Sequence, residues 1–196
     1  MAWSGAAPAQ EARDEGAGGA REEAQAESAG VYAPDATRAE KLDALFAALR
    51  EAGPEEYEPI EKEIGRIWSR SGSDSMDLLL QRGRAAMQGK HLRRAIAHFS
   101  ALVEHAPDFA EGWNARATAW YLKGEWGQSL ADIEQVLRLE PRHYGALAGL
   151  GMILEQMGRK KDALKAFRAA AAVHPNLERV EAAIARLAPE VDGRDI

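Results

Sequence analysis

The segment Gly112-Trp-Asn-Ala-Arg-Ala-Thr-Ala-Trp-Tyr-Leu-Lys-Gly-Glu-Trp126 is one phase of a pattern that returns every 34 residues. The clearest markers of that period are Pro107, Pro141 and Pro175, each 34 residues from the next. Units beginning at Met76, Ala110 and Tyr144 then align several classes of residue. Small side chains recur as Gly83, Ala117 and Gly151, and again as Ala95, Ser129 and Ala163. Larger apolar ones recur as Leu79, Trp113 and Leu147, and as Phe99, Ile133 and Phe167. A proline removes an amide donor and drives the residue before it out of the helical region, so Ala106, Glu140 and His174 should each end a helix. Each unit therefore predicts two helices of about 12–15 residues, too short to persist alone in water and stable only by burying an apolar stripe against neighbours.

This period and these small positions resemble the tetratricopeptide repeat (TPR) family, over roughly a hundred residues of the chain. The second unit matches best, with its turn glycine at Gly124; the third has Gly158. The first departs from the pattern, because its glycine is Gly89, one residue early, and Ala86 stands where an aromatic is usual. The resemblance implies an all-α, right-handed solenoid of three repeats (about 76–109, 110–143 and 144–177, within 75–175), with a concave face lined by the first helix of each. Carried over position by position, the partner-binding groove comprises Leu80, Arg84 and Met87 of the first repeat. The second contributes Asn114, Thr118, Tyr121 and Leu122, and the third Met152 and Gln156. Arg84 would supply a charge-assisted contact, Tyr121 rigid contact area, and the methionines an adaptable apolar surface. Some TPR proteins clamp a chaperone's C-terminal carboxylate with Lys and Arg at two positions of the third repeat, occupied here by Gly145 and Gly149.

Outside the repeats, residues 36–70 predict a helical pair of no TPR signature. Its stripes are Leu42, Leu45, Phe46 and Leu49, then Ile60, Ile64, Ile67 and Trp68, with the second helix starting at Pro59. The pair is expected to cover the open end of the first repeat. Val180, Ile184 and Leu187 describe a closing helix over 177–188, followed by a flexible terminus at 189–196. Residues 1–35 hold seven acids against Arg13 and Arg21, a net charge of −5 out of the chain's −6. Rich in Ala, Gly and Glu, this tail is expected to be disordered, since it offers too little apolar surface to offset its ordering entropy.

The remaining body is nearly neutral, which disfavours nucleic acid as a partner. No apolar run approaches the roughly 20 residues that span a bilayer, so membrane insertion is not expected. Cysteine is absent, which removes disulfide and thiolate chemistry. His91, His98 and His105 fall at intervals of seven, and 98 and 105 would lie about 10 Å apart on one helix, too far to share a zinc ion. The run Gly83-Arg-Ala-Ala-Met-Gln-Gly-Lys90 lacks both the spacing and the Ser or Thr of a phosphate loop. No catalytic residues, metal or cofactor are therefore assigned, and the chain is expected not to be an enzyme. The expected function is a protein-interaction module: an adaptor, scaffold or assembly factor holding a peptide or helix of another protein. The alternatives are a homo-oligomerising module and an accessory subunit of an enzyme complex. The small-residue start, Met1 to Gln10, resembles the end of an export signal, and the whole arrangement resembles small bacterial TPR proteins. An exported, periplasmic protein is thus the expectation, with the cytoplasm as alternative.

Overall fold

The computed structural model describes residues 36–193, and among these every regular element is helical. The disordered tail expected over 1–35 and the last three residues of the expected flexible terminus lie outside this range. In chain order the helices are α1 (Arg38–Glu51), α2 (Tyr57–Trp68), α3 (Asp74–Gln88), α4 (Leu92–His105), α5 (Ala110–Lys123), α6 (Trp126–Leu139), α7 (Tyr144–Gln156), α8 (Lys160–Val173) and α9 (Glu178–Asp192). Helices α3/α4, α5/α6 and α7/α8 form the three repeated hairpins. All three prolines of the 34-residue period fall in the junctions that follow α4, α6 and α8.

Each hairpin is set by a close approach between its two helices. A Cβ built on Gly83 would lie 2.2 Å from the ring of Phe99, and one on Gly151 would lie 2.6 Å from the ring of Phe167. In the middle hairpin the small residue is Ala117, and the facing residue is the slimmer Ile133; both are buried in one cluster. The extra methyl on one helix is thus matched by a smaller side chain on the other. Ser129 strengthens this crossing by donating its hydroxyl to the carbonyl of Ala117 at 2.8 Å. Arg116 adds a bidentate pair to Asp132, with N···O distances of 2.8 and 2.7 Å.

The turn glycines of the second and third hairpins are left-handed, Gly124 at φ 83° and Gly158 at φ 75°. In the first hairpin Gly89 is at φ −75° and Lys90 takes the left-handed conformation at φ 59°. The early glycine leaves a residue with a Cβ to make that turn, at a cost of about 1–2 kcal/mol.

The flanking helices differ from expectation in placement. The α1–α2 pair starts with a capping box between Thr37 and Glu40 and buries the anticipated stripes. It does not cover the open end of the first repeat: its core includes Tyr144 and takes Val173 and Leu177 at its margin, so it sits against the third repeat. Asp43 pairs with Arg142 at 2.5 Å, Trp68 stacks on His143 with ring centroids 4.1 Å apart, and Asn176 donates to the carbonyl of Ala52 at 2.9 Å. The exposed residues of α3 are instead mostly polar, with Gln81, Arg82 and Gln88 beside Leu78 and Ala85. Helix α2 begins at Tyr57, two residues before Pro59. Helix α9 runs through Pro189 to Asp192, because Val191 is buried in the terminal cluster and holds the last turn down.

Gly83→Ala should destabilise the chain by about 1–3 kcal/mol, because overpacking against Phe99 exceeds the gain of about 1 kcal/mol in helix propensity. Gly149→Ala, whose Cβ would meet nothing nearer than Ile133 at 3.7 Å, should stabilise it by about 0.5–1 kcal/mol. Urea unfolding followed by circular dichroism measures both, and shifts of the same sign would contradict the packing described.

Candidate partner-binding groove

Glu111, near the start of α5, is a buried carboxylate around which the repeats are tied. Arg84 of α3 donates to its Oε1 at 2.5 Å, Asn114 donates to Oε2 at 3.0 Å, and His143, just before α7, lies 3.2 Å from the same oxygen through Nε2. The backbone N–H of Ala146 donates to His143 Nδ1 at 3.2 Å, so the ring proton belongs on Nε2, directed at Glu111. Arg84 also donates to Ser69 Oγ at 3.1 Å, which brings the end of α2 into the same network. Burial pushes the Glu111 carboxyl up, but the hydrogen bond from His143 and the charge and hydrogen bond of Arg84 outweigh it and hold the group below the usual carboxylate range.

Beside this network lies a cavity of about 690 Å³, the size of a ligand or peptide side-chain site. One wall is α5, through Asn114, Thr118 and Tyr121; the floor is α7, through Gly145, Ala148, Gly149 and Met152. The opposite wall comes from α9, through Arg179, Ala183 and Arg186, and one end is closed by Tyr57 and Glu61 of α2. At the far side Gln156 donates to the Tyr121 hydroxyl at 2.6 Å, and Arg186 pairs with Glu155. A methyl on Gly145 would meet only His143, at 3.4 Å, so the core demands glycine at neither 145 nor 149. Glycine there keeps the floor low.

The nine residues anticipated for the groove separate into three groups. Asn114, Thr118, Tyr121 and Met152 are brought together along the cavity. Leu122 and Gln156 are exposed nearby, Leu122 with 56% of its surface free. Leu80, Arg84 and Met87 do not line it. Leu80 is 1% exposed and belongs to the core with Phe99, Ala115 and Ala119, because the alanines of α5 leave room for it. Met87 packs on the same core. Arg84, expected as a charge-assisted contact for a partner, has its guanidinium held by Glu111 and Ser69 and does not border this cavity. Asn114 likewise commits an amide proton to Glu111 while its side chain borders the cavity. The repeat frame did not include Tyr57, Glu61, Arg179 and Arg186, since their helices lie outside the repeats.

At the closed end, His174 is fully buried between Tyr57 and Tyr144, and neither ring nitrogen has a hydrogen-bond partner. The nearest charge is Glu61, 3.9 Å from Nε2. Burial lowers the His174 pKa, and burial followed by the repulsion of Glu58 raises that of Glu61. Tyr144 is raised by burial and by the charges of Glu61 and Glu111, so its hydroxyl stays protonated. A histidine whose folded value lies below its unfolded one near 6.5 binds protons more readily when unfolded. Stability should accordingly fall as pH drops from about 6.5 through the folded value, and Glu111, depressed in the fold, adds a second loss below its unfolded value near 4.5. His174→Leu, which removes the two unpaired nitrogens, should flatten the first of these limbs and leave the second. Urea midpoints across pH 4 to 8 read the difference, and an unchanged limb near pH 6 would exclude His174 as its source.

The tetratricopeptide repeat family model matches residues 80–131 and 123–178. A TPR repeat-containing protein of Rhizobium etli is 36% identical over 155 residues, covering 79% of this chain and 76% of its own length. The TPR domain of Sgt2 from Aspergillus fumigatus superposes with a TM-score of 0.58 at 21% identity, over 63% of this chain and 83% of that one. The TPR2B domain of yeast Sti1, in its pHsp70 complex, gives 0.56 at 16% identity, over 60% and 99%. The likeness to these solved domains is one of fold. With its repeats matched over residues 80–178 and a relative aligned across most of both lengths, the chain belongs to the tetratricopeptide repeat family.

Proposed function

We propose that the chain is a non-catalytic binding module that holds an extended or helical segment of another protein in the groove between α5, α7 and α9. The observation that carries this reading is the cavity itself, which has a low floor of Gly145, Ala148 and Gly149 beneath Tyr121 and Met152. Two glycines inside a helix cost about 1–2 kcal/mol together relative to alanine, and neither is needed to fit a neighbouring side chain. The space they leave suits a close-approaching backbone, with Tyr121 and the 40%-exposed Met152 offering contact area at the rim. Sti1 TPR2B, similar in fold, is named in a complex with pHsp70, and capture of a protein segment is the corresponding activity here. Gly145 and Gly149 stand where a carboxylate-clamping TPR has Lys and Arg, so the expected segment is internal or apolar and not a free C-terminal carboxylate.

The groove itself disfavours chemistry of its own. Of the titratable groups that line it, Glu155 is paired with Arg186, and the hydroxyls of Thr118 and Ser129 donate to backbone carbonyls and not to a base.

Gly149→Leu should fill the floor, and Met152→Glu should place a charge on it. Both should abolish capture of the same set of proteins in affinity purification followed by mass spectrometry, by at least tenfold in recovered signal. Helicity should be unchanged, and Leu139→Glu, at an exposed position away from the cavity, should capture that set normally. If both groove variants recover partners at the level of the unmodified chain, the groove is not the binding surface.

A further inference from the structure

The body of the protein is nearly neutral, yet residues 78–103 carry Arg82, Arg84, Lys90, Arg93 and Arg94 and not one acid. Arg84 is consumed by Glu111. The others stand exposed, and Lys90, Arg93 and Arg94 make no ion pair with any described residue. With His91 and Lys123 they border a shallow depression of about 570 Å³ where the turns of the first two hairpins meet. Lys123 is partly spoken for, since it pairs with Glu125 at 3.0 Å and lies over the ring of Trp120.

The third hairpin shows what a balanced turn looks like in the same fold. Its turn is also basic, but Arg159 pairs with Asp162, Lys160 with Glu190, and Arg168 with Asp192. The first turn has no such acids. Clustered like charges repel within the Debye length of about 8 Å at physiological salt, and one of these cations, Lys90, also holds the left-handed turn that glycine makes in the other two hairpins. Unfavourable repulsion and unfavourable backbone conformation therefore meet at one edge, which calls for an anionic occupant.

A matching charge lies in the same chain. Residues 1–35 hold −5, with Glu22, Glu23 and Glu27 close together. We propose that this acidic segment docks on the basic edge of the first hairpin of its own molecule, its carboxylates pairing with Lys90, Arg93 and Arg94. The connection is long enough. Arg38 donates to the carbonyl of Arg70, so the described chain begins beside the turn that leads into α3. The basic edge is at the other end of α3, about 22 Å further on. Glu22 and Ala36 are fourteen residue-to-residue steps apart, a span of up to ~45–50 Å. Tethering makes the encounter intramolecular, so pairs that are individually weak at an exposed surface act at high effective concentration. Occupied in this way, the edge is withheld from other polyanions, including nucleic acid and acidic membranes.

The absence of cysteine from the chain allows a single spin label through Ser28→Cys in the full-length protein. Amide signals of residues 89–95 should lose at least half their intensity relative to the reduced label at about 50 mM salt, while those of 160–168 should not. The loss should disappear at about 0.5 M salt, through screening, and also in the Arg93→Glu, Arg94→Glu variant. Uniform loss, no loss, or loss that survives both salt and charge reversal overturns the proposal. So does a mixture of labelled chain with isotope-enriched unlabelled chain that shows the same loss, because the occupant would then be a second copy.

Discussion

The distance between the two helices of each hairpin governs everything else in this protein. Where Gly83 and Gly151 meet Phe99 and Phe167, the absence of a Cβ lets an aromatic ring lie against the opposite backbone. That contact fixes the crossing of the hairpin, and the crossing fixes which side chains of α3, α5 and α7 face inward. The middle hairpin reaches a similar approach with Ala117 and Ile133, so the constraint is on the summed volume across the crossing and not on either residue alone. A solenoid built this way stacks by nearest-neighbour contacts. Its interior is a series of local clusters, and the groove on its inner side follows from the orientation of the first helices.

Stacking alone would leave the hairpins joined mainly by apolar contact. Glu111 adds a polar tie of a different kind. A buried carboxylate is costly unless its lone pairs are met, and the groups that meet it come from α3, from α5 and from the junction before α7. Removing any one of them leaves charge in a place with little water, which is why the network couples three repeats that otherwise touch in sequence. Through Ser69 and the Trp68–His143 stack it also seats the N-terminal pair. That seating has a functional consequence. The pair closes one end of the groove with Tyr57 and Glu61, leaving open the part bounded by α5, α7 and α9.

The hairpins were legible in the sequence because their determinants are local and periodic. The prolines mark the junctions, the small residues mark the crossings, and the apolar stripes mark the buried faces. The same frame found Asn114, Thr118, Tyr121 and Met152, which line the cavity. It did not reveal the engagement of Arg84, because facing inward does not say what a side chain is bonded to, and its partner, Glu111, lies 27 positions away. It failed at Leu80 because the room for that side chain is made by Ala115 and Ala119 on the next hairpin. The stripe of the α1–α2 pair showed that it would be buried but not against what. Amphipathicity specifies a face, whereas the choice between the first and third repeats rests on Tyr144, Val173 and Leu177, whose readiness to accept another helix has no signature along the chain.

The glycines separate what the fold requires from what it tolerates. At 83 and 151 an added methyl would collide with a ring, so glycine there serves the packing of the hairpin. At 145 and 149 the methyl would find ordinary contact distances of 3.4 and 3.7 Å, and alanine would make a better helix. A residue type that weakens its own helix without relieving any clash must be accounted for by something other than the core. Helix α7 carries two such residues one turn apart, both on the floor of the cavity. Its N-terminal end is already held by Glu111 through His143, and its buried side by Ile153 and Leu154, so the helix has packing enough to bear the loss. Stability supplied by the buried network and the hairpin crossings thus permits an unfavourable, open surface on the inner side of the same helix, and that surface is where a docking segment has room to approach.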